Sequence, residues 1–198
     1  MPVTRLTLST RNDHKVRELS RLAEGKLTID PLPDDVVLPP EDGTTFAENA
    51  LAKARAAAEA TGRAAIADDS GVEAAALDGR PGIYSARFAG PSASDDDNLA
   101  KLLREAPAGS ALRYVCAIAY VDPVAGVEQV FEGTCNGTLA APAGEGGFGY
   151  DPAFLPDDVL PEGPPGRTMA QLSDAEKDAI SHRGRAVRAL TAWLAGPR

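Results

Sequence analysis

The sequence predicts a three-layer α/β protein in which helices flank a long mixed β-sheet. Apolar runs of strand length alternate with stretches whose apolar residues recur at helical spacing, which is typical of a parallel sheet covered by helices. Two long strand-like runs, residues 112–121 and 127–139, are separated by a short turn and are predicted to pair antiparallel, which makes the sheet mixed. A chain of 198 residues, 43% of them hydrophobic, can bury such a core as one domain spanning residues 1–198.

The first strand-to-helix connection carries side chains that suit a phosphate. Residues 3–10 alternate as a strand, and Asn12 starts a helix whose apolar residues recur at helical spacing. The turn offers the hydroxyl of Thr10, the amide of Asn12 and the ammonium of Lys15. The alternative is an ordinary helix cap followed by a solvated lysine. Residues 27–29 read as the next short strand.

A second helix is predicted after a loop rich in proline and aspartate at residues 31–42. Thr45 followed by Glu48 matches a capping box, and the alanine-rich helix that it opens ends at Gly62. Lys53 lies on this helix beside a stripe of small residues. The default reading of such a lysine is a packed stem with its ammonium in water.

Two adjacent carboxylates, Asp68 and Asp69, end the next apolar strand. Ser70 and Glu73 then match a second capping box, so a helix is predicted to begin there. Ligands of open α/β sheets bind beyond the carboxyl ends of the strands, near helix N-termini. Because two carboxylates would repel a phosphate unless a divalent cation sat between them, the pattern favours Mg²⁺ and a phosphorylated substrate. The alternative is a polar turn without chemistry.

The C-terminal half is predicted to hold a helix at residues 95–104, the strand pair and a glycine-rich segment at residues 140–152. Such a segment can approach a ligand closely, but it serves ordinary turns equally well. Residues 157–166 are rich in proline and glycine and are expected to form a mobile insertion. A capping signature at residues 173–176 precedes the last helices. The final helix is predicted to bury Ala186, Leu190, Trp193 and Leu194.

Composition and charge exclude several classes of function. The net charge of -9 and the pI of about 4.7 disfavour binding to nucleic acid or to an anionic membrane. No apolar run approaches the roughly 20 residues that span a bilayer, and no signal peptide is recognisable, so a cytoplasmic protein is expected. Cys116 and Cys135 lack C-x-x-C spacing and are predicted to be buried thiols. With His14 and His182 as the only histidines, zinc has too few ligands.

Six short motifs occur in order along nearly the whole chain. They are Thr10-x-Asn12-x-x-Lys15, Phe46-x-Glu48-Asn49-Ala50-x-x-Lys53-Ala54, Ala67-Asp68-Asp69-Ser70-Gly71, Pro81-Gly82-x-x-Ser85-Ala86-Arg87, Gly147-Phe148-Gly149-Tyr150-Asp151-Pro152 and Ser181-His182-Arg183-Gly184. Together they resemble the inosine/xanthosine triphosphate pyrophosphatase family. The resemblance implies two lobes with a central substrate cleft and a homodimer. It also implies Mg²⁺-dependent hydrolysis of ITP, dITP and XTP to the nucleoside monophosphate and pyrophosphate.

The same resemblance implies a role for each matching residue. Asp69 is implied to be the catalytic base and, with Glu41 and the nearby Asp68, to bind the metal. Ser70 is implied to contact the substrate. The implied triphosphate-binding residues are Thr10, Asn12, Lys15 and Lys53. The implied nucleoside-binding residues are Phe148, Gly149, Tyr150, Asp151, Lys177, His182 and Arg183.

This chain departs from the family pattern at two places and leaves two other functions open. Arg11 stands where many relatives carry glycine, and residues 157–166 are longer and richer in proline than usual. One open function is a pyrimidine nucleotide pyrophosphatase of related architecture. The other is a nucleotide-binding sensor without turnover, against which the paired acids count, because a pure binder gains little from a carboxylate beside phosphate. No Walker A loop or D-x-D-x-T pattern occurs, so direct attack by water is favoured over an aspartyl-phosphate intermediate.

Overall fold

The computed structural model describes residues 4–158 and 164–196 and confirms the predicted three-layer α/β architecture. Residues 159–163, inside the predicted insertion, lie outside the described residues. The strands are β1 (Thr4–Leu8), β2 (Leu27–Pro31), β3 (Ala65–Ala74), β4 (Ala111–Asp122), β5 (Val127–Leu139) and β6 (Phe154–Pro156). The helices are α1 (Asp13–Ala23), α2 (Phe46–Thr61), α3 (Asp95–Glu105), α4 (Asp174–Ile180) and α5 (His182–Ala195). Short 3₁₀ turns connect several of them.

The six strands lie in the order β2-β1-β3-β4-β5-β6, and the sheet is mixed as predicted. β1 pairs in parallel with both β2 and β3. β4 and β5 are neighbours joined by only the segment 123–126, which permits antiparallel pairing alone, and β5 pairs antiparallel with β6. Because β1 lies between β2 and β3, right-handed crossovers place α1 and α2 on opposite faces of the sheet.

The predicted helix start at Ser70 is wrong, because β3 continues through both acids to Ala74. Ser70 and Glu73 therefore cap no helix, although they match the S-x-x-E pattern. The side chain of Glu73 accepts hydrogen bonds from Arg113 at 2.6 and 2.8 Å, and Glu73 bridges to Pro81 through the backbone. Long-range pairing therefore overrides a local four-residue signal, and Asp68 and Asp69 lie inside a strand rather than at a helix N-terminus.

The predicted caps of α2 and α4 are present, and one hydrogen bond at the start of α2 is shifted by one residue. Thr45 caps α2 by accepting from the backbone N–H of Glu48, and Gly62 ends the helix in the left-handed region at φ 64°. The carboxylate of Glu48, however, accepts from the backbone N–H and hydroxyl of Thr44, one residue earlier than a capping box requires. Ser173 and Glu176 form the predicted capping box at the start of α4.

The described residues form two compact units, each with its own core. Unit 1 takes its residues from 1–69, 116–133 and 185–198, and unit 2 takes them from 70–115 and 134–184. The fully buried side chains of the unit 1 core include Leu6, Leu8, Leu19, Ile118, Ala186 and Leu190. Those of unit 2 include Val72, Leu102, Leu112, Leu139, Phe154 and Met169. The single-domain organisation of residues 1–198 stays a prediction.

The sequence also predicted which residues of α5 are buried and the state of the two cysteines. Ala186 and Leu190 of α5 are buried as predicted, and Trp193 and Leu194 are partly buried against the same core. Cys116 and Cys135 are buried and form no disulfide, as predicted. None of the helices in the described part of the chain has the length and apolar character needed to cross a membrane.

Candidate active site

Asp68 and Asp69 on β3 each pair with a lysine from a different helix. Nζ of Lys15, on α1, lies 3.2 Å from Oδ2 of Asp68, and Nζ of Lys53, on α2, lies 3.3 Å from Oδ1 of Asp69. Successive side chains of a strand point to opposite faces, and α1 and α2 lie on opposite faces, so adjacent acids reach different helices. Both acids are buried, with exposures of 1% and 5%.

Lys53 links Asp69 to Glu41 on the loop before α2. Its Nζ also lies 2.6 Å from Oε1 of Glu41, and its backbone carbonyl accepts from the hydroxyl of Ser9 at 2.8 Å. The default reading of an ammonium in water is therefore wrong. Burial works to lower the pKa of Lys53, but the negative charges of Asp69, Asp68 and Glu41 outweigh burial and raise it. Lys53 thus remains a cation at neutral pH.

Asn49 orients Asp69, a role that the sequence analysis missed. Its Nδ2 donates to Oδ2 of Asp69 at 3.1 Å, and its Oδ1 accepts from the backbone N–H of Gly43 at 2.9 Å. A Cβ at Gly43 would lie 2.7 Å from that Oδ1, so a larger residue would displace the amide. The available signal was the spacing of four residues from Lys53, which places both side chains on one side of α2.

The environment of Asp69 favours its use as a base. Burial raises the pKa of the Asp69 carboxyl above its usual value, and Lys53, Lys15 and the hydrogen bond from Asn49 offset only part of that increase. A carboxylate with a raised pKa holds a transferred proton better than an exposed one. Asp69 therefore combines a fixed orientation with a raised pKa, two properties that suit a proton acceptor.

The turn between β1 and α1 is shaped by its own hydrogen bonds. Oδ1 of Asn12 caps α1 by accepting from the backbone N–H groups of His14 and Lys15 at 2.9 and 3.1 Å. Oγ1 of Thr10 accepts from the backbone N–H of Asn12 at 3.2 Å. The helix-cap reading of Asn12 is therefore correct, whereas the alternative of a solvated Lys15 is not, since its ammonium pairs with Asp68.

The donor set of unit 1 suits a hard divalent cation. Glu41, Asp68 and Asp69 offer carboxylate oxygens, the ligands that Mg²⁺ prefers. Within residues 4–158 and 164–196, no group of three or more His, Cys, Asp or Glu side chains is close enough to form a metal cage. Mg²⁺ commonly uses one or two carboxylates and completes its shell with water and substrate phosphates. The residues therefore fit a metal that binds together with a polyphosphate.

A second cluster, within unit 2, is centred on the buried carboxylate of Asp151. Its Oδ1 accepts from the Tyr114 hydroxyl at 3.0 Å. Its Oδ2 accepts from Nζ of Lys177 at 2.6 Å and from the backbone N–H of Phe148 at 2.9 Å. Gly147 has φ +69°, and a Cβ there would collide with the carboxylate of Asp151. Asp151 thus ties the glycine-rich segment to α4.

Two buried cations of this cluster lie near the aromatic ring of Phe148. Nζ of Lys177 lies 5.2 Å and Cζ of Arg183 lies 5.7 Å from the centre of the Phe148 ring. Arg183 is only 1% exposed, and its guanidinium donates to Oγ of Ser70 at 2.8 Å. A set of N–H donors in a buried, aromatic-lined environment suits a ligand that presents acceptor oxygens.

Three further side chains fix the geometry of this second cluster. The ring of His182 stacks on Tyr114 with centroids 4.5 Å apart, and Tyr114 was not recognised from the sequence because it reads only as an apolar strand position. The backbone N–H of Gly149 donates to Asp95 at 2.9 Å. The hydroxyl of Tyr150 donates to the carbonyl of Ser85 at 2.8 Å, and burial raises the pKa of Tyr150.

The predicted site residues therefore fall into two clusters. The unit 1 cluster contains Thr10, Asn12, Lys15, Glu41, Lys53, Asp68 and Asp69. The unit 2 cluster contains Ser70, Phe148, Gly149, Tyr150, Asp151, Lys177, His182 and Arg183. Unit 1 combines carboxylates with ammonium groups, and unit 2 combines N–H donors with aromatic rings.

Comparison with known proteins gives consistent matches along nearly the whole chain. The profile of the Ham1 family matches residues 6–193. A curated protein from Mycolicibacterium paratuberculosis, named dITP/XTP pyrophosphatase, is 49% identical over 96% of this chain and 95% of its own length. A protein of the same name from Geobacter sulfurreducens is 44% identical over 95% of each chain. The solved structure of a HAM1 protein from Coxiella burnetii matches with a TM-score of 0.82 at 34% identity, over 97% of this chain and 98% of that one.

Proposed function

Because this chain belongs to the Ham1 family, we propose that it hydrolyses deaminated purine nucleoside triphosphates, namely ITP, dITP and XTP, to the monophosphate and pyrophosphate. The relatives named dITP/XTP pyrophosphatase support this activity at 44–49% identity over nearly full length. The resemblance drawn from the six motifs is thereby confirmed at the level of the family.

The observation that carries the proposal is the buried carboxylate of Asp69, held between the amide of Asn49 and the ammonium of Lys53. In the reaction, the oxygen of a water molecule bonds to the α-phosphorus, and the bond from that phosphorus to the bridging oxygen of pyrophosphate breaks. Asp69 takes the proton from the attacking water. Lys15 and Lys53 offset negative charge on the phosphates, as phosphoryl-transfer sites require.

A divalent metal, which we propose to be Mg²⁺, completes this chemistry. Glu41 and Asp69 would hold it, with Asp68 close by. When bound, it supplies positive charge to the triphosphate and the leaving pyrophosphate. Asp69 is the base that takes the proton of the water. Lys53 is a cation that its carboxylate neighbours keep protonated.

The unit 2 cluster is proposed to recognise the base. ITP and XTP carry a carbonyl oxygen at C6, which accepts hydrogen bonds from Lys177, His182 or Arg183, while Phe148 stacks on the ring. Asp151 contributes by holding Lys177 and the backbone of the glycine-rich segment. ATP carries a donating amine at C6. The amine would then face the N–H donors of the protein, and each buried group left without a hydrogen bond costs about 1–3 kcal/mol of binding free energy.

A homodimer and a cytoplasmic location stay predictions, and no nucleic-acid or membrane partner is proposed. The pyrimidine nucleotide pyrophosphatase and the non-catalytic sensor remain the competing functions. Asp69 disfavours the sensor, because its raised pKa and its fixed orientation suit proton transfer rather than nucleotide binding.

Product analysis tests the reaction. Purified protein with Mg²⁺ and ITP in isotopically labelled water should give IMP and pyrophosphate in equal amounts, with the label in the IMP phosphate. Label in pyrophosphate, or the formation of IDP and phosphate, would contradict attack at the α-phosphorus. Saturable ITP binding without any product would identify the sensor instead.

A further inference from the structure

Arg11 connects the turn after β1 to the loop after β2 through three backbone carbonyls. Its Nη1 donates to the carbonyl of Leu32 at 3.1 Å, and its Nη2 donates to those of Pro33 at 2.6 Å and Val36 at 3.1 Å. Nη1 also lies 3.6 Å from a carboxylate oxygen of the exposed Asp34. The planar guanidinium thus donates to three backbone carbonyls of one turn. Its fixed fork of N–H donors suits such a set of acceptors.

The loop that Arg11 contacts carries Glu41 and is held at both of its ends by side chains from outside the loop. Residues 32–45 form no helix or strand, and a backbone hydrogen bond from Val36 to Pro33 closes the turn inside them. Side chains of α2 secure the far end of the loop, where Lys53 pairs with Glu41 and Asn49 binds the backbone of Gly43. Arg11 secures the near end.

Arg11 lies within the proposed phosphate-binding turn, yet its guanidinium donates hydrogen bonds to the loop. Its chain neighbours are Thr10 and Asn12, which shape that turn. A contact from this position therefore couples the turn that would bind phosphate to the loop that carries a metal-binding acid. A loop ordered in advance spares the ordering cost that ligand binding would otherwise incur.

We propose that Arg11 is a positioning residue that holds the loop of residues 32–45 against the phosphate-binding turn, so that Glu41 is presented to the metal. This inference rests on the proposed function for the role of Glu41. The contacts of Arg11 with the loop are independent of it.

Hydrogen exchange and metal titration of matched variants test this role. Arg11→Met keeps the apolar stem and removes the fork. Arg17→Met is the control, because Arg17 is an exposed arginine of α1 whose side chain contacts His14. Without metal or substrate, the amide of Val36 should exchange at least about tenfold faster in Arg11→Met than in the wild type and the control.

The kinetic arm separates positioning from direct substrate contact. In Arg11→Met, the Mg²⁺ concentration for half-maximal ITP hydrolysis should rise at least about threefold, while kcat at saturating Mg²⁺ stays within about twofold of wild type. Arg11→Lys should rescue only part of both changes, because an ammonium lacks the planar fork. Melting temperatures measured alongside verify that each variant is folded.

Three results would overturn the inference. The first is unchanged exchange at Val36. The second is faster exchange with an unchanged Mg²⁺ requirement, which would limit Arg11 to loop structure. The third is a raised KM for ITP with unchanged exchange, which would make Arg11 a direct substrate contact. If the wild type fails to hydrolyse any deaminated triphosphate, the proposed function fails and with it the metal-positioning role, while the exchange arm still decides whether Arg11 holds the loop.

Discussion

Asn49 donates its side-chain amide to Oδ2 of Asp69 at 3.1 Å, and the ammonium of Lys53, one helical turn later, lies 3.3 Å from Oδ1 of the same carboxylate. Both oxygens of Asp69 are thus oriented by side chains of a regular helix. Groups placed on helices and strands hold a catalytic geometry more firmly than groups on loops. Glu41, in contrast, depends on a loop and on the side chains that fasten it.

Replacing Asp69 by Asn should lower kcat by at least about two orders of magnitude, the scale of a lost general base. Asparagine keeps the size and one oxygen for the hydrogen bond from Asn49 but cannot take a proton. Steady-state kinetics with ITP at saturating Mg²⁺ measure the change. Asp78→Asn, at an exposed position, is the matched control. Activity of Asp69→Asn within a few-fold of wild type would contradict the role of Asp69.

Replacing Lys15 or Lys53 by Met should weaken triphosphate binding by roughly 1.5–3 kcal/mol, the value of a hydrogen bond to a charged group. Isothermal titration with a non-hydrolysable ITP analogue measures this loss. Lys26→Met, at an exposed position just past α1, should leave the affinity unchanged. Unchanged affinity in both site variants would show that neither ammonium contacts phosphate.

The side chain of Glu176 should make folding stability depend on pH in the acid range. Hydrogen bonds from Arg167 and Ser173 lower the pKa of Glu176 to about 2 in the folded protein. Because the unfolded chain protonates this carboxyl near its ordinary value of about 4.3, the stabilisation is complete above that pH and is lost as the pH falls toward about 2.

Urea unfolding of the wild type and of Glu176→Gln, followed from about pH 6 to about pH 3, measures this contribution. The stability advantage of the wild type over the variant should shrink steadily as the pH falls. An advantage that is constant over this range would show that the carboxyl titrates alike in the folded and unfolded states.

The association state is predicted to be a homodimer, on the strength of the family resemblance. Sedimentation velocity at micromolar concentration should give one species at twice the chain mass of 20.5 kDa. A dilution series separates a stable dimer from a weak one. A single species near the chain mass would reject the prediction.

The sequence predicted the architecture and most cluster members because these depend on repeated, local patterns. The periodic apolar residues of β1, α1 and α2 indicate the alternating fold, and Asn12 caps α1 as its residue type indicates. The residue types of the turn after β1 suggested Lys15 as a phosphate contact, whereas Lys53 was suggested as one only through the family motifs. The ion pairs of the two lysines could not be predicted, because their partners Asp68 and Asp69 are distant in sequence.

The errors and omissions have one physical origin, which is pairing between distant parts of the chain. The pattern from Ser70 to Glu73 has the residue types of a capping box, but pairing with Arg113 and Pro81 keeps it extended. Asn49 and Tyr114 acquire their roles only when Asp69 and Asp151 are brought beside them. No local pattern encodes such contacts.

The rates of hydrolysis of different triphosphates test the central claim most directly. Pyrophosphate release with saturating Mg²⁺ should give kcat/KM values for ITP and XTP far above that for GTP, with ATP lowest or undetectable and dTTP and UTP poor. In the proposed site, the C6 oxygen of ITP and XTP would accept hydrogen bonds from the donors of Lys177, His182 and Arg183, whereas the C6 amine of ATP would oppose them. GTP shares that oxygen, so its exclusion must arise at its C2 amine. Hydrolysis of ATP or dTTP as efficient as that of ITP would contradict the account.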